Sequence, residues 1–166
     1  MFIVTKFVAD LRIKLALKEI KKIKRKNIKI LDVGCGNCYI LNKIKKAGYK
    51  HIIGIDIKYS CGIIMDATNM TFSNNSFDVV ICFEVIEHCP CVKELQRVLK
   101  VGGKLILSTP TPGTDWIRII LVKLGLLEDQ DFEGHNYLID IRKLQLKKIK
   151  IKKMLLGTSQ FGVFTK

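Results

Sequence analysis

Apolar residues recur along this chain in two spacings, and the two spacings alternate. Between residues 6 and 26, Phe7, Val8, Leu11, Leu15, Ile20 and Ile23 fall among lysines at near-helical intervals. This predicts one amphipathic helix lying against the edge of a sheet. Residues 29–33 form a short apolar run ending in Gly34-Cys35-Gly36, followed by Tyr39, Ile40, Leu41, Ile44 and Ala47 at helical spacing and then Gly48. That order reads as strand, glycine turn and helix. Two more runs, 52–56 and 62–66, each end in a carboxylate, Asp56 and Asp66. A polar segment, 69–76, precedes the β-branched run 77–82, which suits a central strand buried on both faces. Residues 84–88 predict a helical turn. Val92, Leu95, Val98 and Leu99 predict a helix closed by Gly102-Gly103, and 104–108 a further strand.

Strands alternating with helices at this spacing imply parallel strands joined by right-handed crossovers, so ligands bind at the carboxyl ends of the strands. Past Pro110 the pattern gives a loop, a helix near 116–124, an acidic patch at 128–133 and a helix-like stretch at 139–146. Residues 148–155 alternate Ile and Lys, and 160–165 carry Phe161, Val163 and Phe164, which predicts a terminal antiparallel hairpin on the sheet edge. The expected fold is therefore a single doubly wound, Rossmann-like α/β domain over residues 1–166, with a mainly parallel seven-stranded sheet. Within it, 1–27 form a helical cover, 28–110 the ligand-binding core, and 111–166 a substrate-side loop and helix with the hairpin.

Composition narrows the class. A length of 166 residues leaves little room for a second domain, and three prolines with no repeat exclude disordered, collagenous and solenoid architectures. No apolar run approaches the roughly 20 residues that span a bilayer, and no secretory leader is visible at the N-terminus, so the expected location is the cytoplasm. All six cysteines fall within the first 91 residues, several in strand-like runs, and are expected to be reduced. Cys35-x-x-Cys38 raises a zinc or redox role, but no second pair follows it and it lies inside the glycine turn, which disfavours both. The 29 Lys plus Arg outnumber 15 Asp plus Glu, for a net charge of +14. Lysine clusters at 14–29, 43–50 and 142–153 make RNA a candidate partner, although no RNA-binding module and little aromatic interleaving accompany them.

The glycine turn removes side chains where backbone must approach a ligand and puts N–H groups at a helix start. Asp56, 22 residues after Gly34, stands where a carboxylate can accept bonds from both ribose hydroxyls. A dinucleotide fingerprint would need a third glycine at position 39, where Tyr39 stands. Three acidic strand ends, Asp32, Asp56 and Asp66, suit a cationic nucleoside better than a pyrophosphate.

These residues resemble a known family. Ile-Leu-Asp-Val-Gly-Cys-Gly at 30–36, Gly-Ile-Asp56, Asp66-Ala67, Ser76-Phe-Asp-Val-Val-Ile and Leu99-Lys-Val-Gly-Gly-Lys-Leu-Ile-Leu-Ser look like class I S-adenosylmethionine-dependent methyltransferases, across residues 28–110. The resemblance implies that Asp32, Gly34 and Gly36 hold the methionine end of S-adenosyl-L-methionine, Asp56 the ribose, and Asp66 and Ala67 the adenine. It places Phe83 beside the methyl group. Cys38 stands at the loop's third glycine position and Val101 where the family often has proline.

Methyl transfer from a sulfonium is an in-line displacement, so positioning supplies most of the catalysis and a hydroxyl acceptor adds the need for a base. A helical turn at 84–88 would bring Glu84, Glu87 and His88 onto one face. His88 could act as base, or the three could bind a divalent metal such as Mg. Glu-x-x-Glu-His is similar to the segment of ubiquinone-pathway O-methyltransferases and of RNA 3′-terminal 2′-O-methyltransferases. In the latter it holds magnesium with a further histidine, for which His135 is the candidate here. Trp116, Phe132 and Tyr137 could line a substrate pocket, with core packing the other role open to Trp116. The reading is an O-methyltransferase acting on a small molecule; the alternatives are an RNA methyltransferase and a non-catalytic S-adenosylmethionine-binding module.

Overall fold

The computed structural model describes residues 3–25, 27–58, 61–125 and 139–166, with the side chains of all of these except residues 3–5 and 118. Seven strands, β1 (Ile30–Val33), β2 (Ile52–Asp56), β3 (Ile63–Ile64), β4 (Phe77–Phe83), β5 (Leu99–Pro110), β6 (Lys147–Met154) and β7 (Ser159–Thr165), form one sheet in the order β3-β2-β1-β4-β5-β7-β6. β1 to β5 run parallel, and β7 inserts antiparallel between β5 and β6. The strand order reverses at β1, so the carboxyl ends of β1, β2 and β4 open onto the crevice where a doubly wound sheet binds its ligand.

Alternation along the central strands sorts two cores. Ile30, Val79, Ile81, Ile106, Phe161 and Val163 fill one face, while Leu31, Val33, Val80, Cys82, Leu105 and Leu107 fill the other. The first face is covered by α1 (Ile3–Lys21) and α2 (Tyr39–Lys46), the second by α3 (Val92–Val98) and the segment around Met70 and Ile86. α1 departs from its predicted place. Ala16 and Ile20 pack with residues of β4, β5 and β7, so the helix crosses the face of the sheet and not its edge. Among its described side chains the buried apolar ones are Val8, Ile13, Ala16 and Ile20, while Phe7 is exposed.

A central helix needs its charges handled. Glu19, 1% exposed, pairs with Lys22 of its own helix and with Lys104 and Lys150 of the sheet. Asp78 likewise takes Arg25, Lys100 and the N–H of Lys29. Part of the lysine excess is therefore spent on tying the α1 cover to the sheet.

The helix expected at 139–146 is a single 3-10 turn, Ile141–Lys143. Polar side chains take over its backbone partners: Gln160 accepts the Ile141 N–H and donates to the Pro110 and Ile139 carbonyls, and Asp140 accepts the Arg142 N–H. The run at 62–66 shortens to the two residues of β3 because Asp66 turns the chain, accepting the Thr68 N–H at 2.7 Å and its hydroxyl at 2.8 Å. A fourth helix, α4 (Asp115–Lys123), follows β5 as expected. Among the described residues no helix is long and apolar enough to cross a membrane.

Candidate functional site

β1 ends in a turn that needs glycine. Gly34 has φ +74°, and a Cβ there would sit 2.2 Å from Cγ2 of Val85. The missing side chain lets the segment after β4 rest directly on the loop after β1. The N–H groups of Gly34 and Cys35 both donate to the Ile55 carbonyl, at 2.9 and 3.0 Å, which holds the loop against β2. At the end of β2, Asp56 accepts the Gly36 N–H on one oxygen and the Lys58 N–H on the other, each at 2.9 Å.

Asp32 is the anomaly. It is fully buried within β1, and neither carboxylate oxygen has a hydrogen-bond partner. Burial, reinforced by the charge of Asp56, pushes its pKa up to about 7. An orphaned buried carboxylate beside a second carboxylate is costly by itself and becomes favourable when a cationic donor occupies the space between them. The residues present fit a ligand carrying an ammonium or sulfonium charge.

The other residues expected at this site are distributed unevenly. Ala67 packs against the second core, whereas Asp66 is exposed and committed to its turn, with Thr68 holding its pKa below the ordinary value. Phe83, at the end of β4, is buried, and its ring lies 6.1 Å from that of Phe161.

A second polar cluster forms where β4 and β5 end. The helical turn expected at 84–88 starts one residue late: Glu84 has φ +55°, its N–H held by the Ser108 carbonyl at 2.9 Å, and the turn that follows is closed by the His88 and Cys89 N–H groups on the Val85 carbonyl at 2.9 and 3.3 Å. The Glu84 carboxylate accepts the Ser108 hydroxyl at 2.8 Å and pairs with Arg12 of α1 at 3.0 Å. Glu87 is buried. One of its oxygens accepts the Thr109 hydroxyl at 3.0 Å, and the other has no partner. Burial and the neighbouring Glu84 charge push the Glu87 pKa well above the carboxylate range. His88 is exposed. Glu84, Glu87 and His88 therefore do not converge as the three-donor face that a helix would have produced. His135, the fourth residue expected at a metal, lies outside the described residues, as do Phe132 and Tyr137. Trp116 is 63% exposed on α4, which excludes core packing for it.

Among the described residues, the group of donors close enough to hold an ion is instead Cys35, Cys38 and Cys61. The expectation that all six cysteines are reduced is overturned here. Cys38 and Cys61 form a disulfide with Cα atoms 6.2 Å apart, because the β2–β3 connection folds back onto the glycine loop. Cys35, Cys82, Cys89 and Cys91 are free.

Arg12, Val85, Ser108 and Thr109 escaped the sequence reading. The last two had a usable signal, since they are polar residues at the carboxyl end of a central strand. Arg12 had none, being one cation in a lysine-rich helix. On the outer surface, Asn37, Tyr39, Asn42, Lys43 and Lys46 line a shallow cavity of about 260 Å³, and Lys147, Lys148, Lys152 and Lys153 are exposed along β6.

A family model described as a methyltransferase domain matches residues 31–107. A ubiquinone biosynthesis O-methyltransferase of Pseudomonas aeruginosa is 28% identical over 102 residues, which is 49% of this chain and 44% of that protein. An uncharacterised protein of Methanocaldococcus jannaschii is 27% identical over 154 residues, 84% of this chain and 61% of its own length. The chain thus spans about half the length of the curated relatives it matches. A Pyrococcus horikoshii protein of known crystal structure superposes with a TM-score of 0.64 at 23% identity, covering 95% of this chain and 90% of that one. An S-adenosylmethionine-dependent methyltransferase of Archaeoglobus fulgidus superposes at 0.60 with 13% identity, covering 93% and 94%. These superpositions establish a shared fold.

Proposed function

We propose, since this chain belongs to the class I S-adenosylmethionine-dependent methyltransferase family, that it transfers a methyl group to an oxygen atom of a small molecule. The observation that carries this reading is the buried, unpartnered carboxylate of Asp32 beside Gly34, Gly36 and Asp56. When bound, S-adenosyl-L-methionine supplies an electrophilic methyl group on a sulfonium. Asp32 is the acceptor for the ammonium of its methionine end, and Gly34 and Gly36 let the backbone approach it. Asp56 keeps free lone pairs beyond its two N–H bonds with which to accept the ribose hydroxyls. Asp66 and Ala67 border the adenine, and Phe83 the methyl-bearing region.

Glu87 has the attributes of the base. A pKa raised by burial brings it toward neutrality, one oxygen is held by Thr109, and the other is uncommitted. Glu84 is a positioning residue, fixed by Arg12 and Ser108, whose charge tunes Glu87. His88, exposed beside them, is the second candidate for accepting the proton and passing it to solvent. The likeness to O-methyltransferases named for ubiquinone biosynthesis supports a small hydroxylated acceptor.

The test is methyl transfer from labelled cofactor into fractionated small-molecule and RNA pools, with cofactor affinity measured separately. Label in the small-molecule pool is expected, and cofactor binding with no transfer to either pool would leave a binding module instead. The exposed lysines of β6 favour RNA as the second reading. On that reading RNA retention falls steeply with salt, by a slope of roughly 0.7 per single-strand phosphate contacted on a log–log plot.

A further inference from the structure

The glycine loop carries chemistry that methyl transfer does not use. Cys35 and Cys38 flank the turn before α2, closed by a Cys38 N–H to Cys35 carbonyl bond of 2.8 Å, and Cys61 arrives from the β2–β3 connection. Their three sulfur atoms lie within 4.8 Å of one another, with Cys35 Sγ and Cys38 Sγ 4.0 Å apart. The approach is built by glycines. A Cβ on Gly54 would come within 2.9 Å of the Cys35 sulfur, and one on Gly62 within 2.8 Å, so no other residue type next to Cys61 lets the connection lie there. Cys35 and Cys38 are buried while Cys61 is exposed, which gives the cluster two fixed donors and one facing the route from solvent.

We propose that this cluster is a metal site: with the disulfide reduced, Cys35, Cys38 and Cys61 hold one closed-shell thiophilic ion of the Zn²⁺ type. Metal–sulfur bonds of about 2.3 Å at tetrahedral angles put sulfurs about 3.8 Å apart, near the spacing that Cys35 and Cys38 already have. A Cα separation of 6.2 Å lets Cys38 and Cys61 serve either as disulfide or as ligands of one ion. A dithiol reductant gives two electrons and two protons to the disulfide and is itself oxidised; the three thiols then lose three protons to solvent as the ion binds, and water takes the fourth position. Disulfide and metal are thus mutually exclusive. Either one staples the β2–β3 connection to the loop whose Gly36 N–H bonds Asp56, with the Cys61 sulfur 2.9 Å from the Gly36 carbonyl oxygen.

The full chain, reduced with a dithiol and desalted without air, would be titrated with Co²⁺ and Cd²⁺ and then with Zn²⁺ against a chromogenic chelator. One equivalent should bind, with sulfur-to-metal charge-transfer absorption and release of about three protons per ion. Cys61→Ser, at an exposed position that serine leaves folded, should weaken binding at least about 100-fold, while Cys89→Ser leaves it unchanged and the disulfide form binds no ion. Absence of stoichiometric binding to the reduced chain, or binding undiminished in Cys61→Ser or in the disulfide form, would overturn the site. None of these readouts depends on methyl transfer.

Discussion

Replacing Asp32 with asparagine separates what this residue does for the fold from what it does for the ligand. Its side chain is fully buried without partners, and its pKa is raised from 3.8 to about 7. A carboxyl whose folded pKa lies above its unfolded value is neutral in both states below 3.8 and costs the fold nothing there. Stability is lost as pH rises from 3.8 towards 7, and above that the cost is complete. With 1.36 kcal/mol per pKa unit, the penalty is about 4 kcal/mol near pH 8 and about 1.7 kcal/mol near pH 5. Asparagine brings a pH-independent cost of its own, about 1–3 kcal/mol for a buried unpaired amide. That cost cancels when the variant is compared with the parent at both pH values. The stability of Asp32→Asn relative to the parent should therefore rise by about 2.5 kcal/mol between those pH values. Urea unfolding of the ligand-free protein, followed by far-UV circular dichroism, reads this as a shift of about 1 M or more in the relative midpoint. In the same variant, thermal protection by S-adenosylmethionine should disappear. A relative stability independent of pH would refute the buried, unpaired state assigned to Asp32.

Gly34→Ala should cost several kcal/mol, from about 1–2 kcal/mol for the left-handed backbone plus the clash with Val85, and Val85→Ala should restore the clash portion only, as measured by denaturant unfolding. Glu87→Gln should lower turnover by about 10²–10⁴-fold with cofactor affinity unchanged. In Glu84→Gln the rising limb of the kcat/KM profile against pH should move to lower pH, because the neighbouring charge that raises the Glu87 pKa is gone. Arg12→Ala should move the limb the other way. Glu19→Ala removes the carboxylate shared by Lys22, Lys104 and Lys150, although Lys104 keeps its bond to the main-chain carbonyl of residue 19, and should cost about 1.5–3 kcal/mol near neutrality. Burial opposes ionisation of Glu19, but Lys22 and Lys150 hold its pKa below 4.5, so in the parent that contribution is lost as pH falls below this value.

Legibility in the sequence followed locality. The strands at 52–56 and 77–82, the terminal hairpin and the glycine loop were readable because each is written in adjacent residues: apolar and β-branched runs, the alternation of Ile and Lys at 148–155, and paired glycines after a strand. The turn at 141–143 was misread as helix because its backbone bonds are taken by Gln160, nineteen or more positions away along the chain. The turn expected at 84–88 forms one residue later for the same reason, since Ser108 of the neighbouring strand fixes Glu84 in a left-handed conformation that the spacing of two glutamates and a histidine does not reveal. The placement of α1 failed differently. An amphipathic pattern says that a helix has a buried side, not which surface buries it.

By itself, then, the amino-acid order determined the doubly wound sheet, the position of its ligand loop and the acidic strand ends, because a strand's two faces and a glycine turn are set by neighbours in the chain. Only the tertiary structure decided which of those acids is left unpaired, which cation answers Glu84, and that Cys61 meets Cys38 across 23 residues. Burial, charge pairing and sulfur contact are distances between segments, and those distances exist only once the β2–β3 connection and α1 have packed onto the sheet.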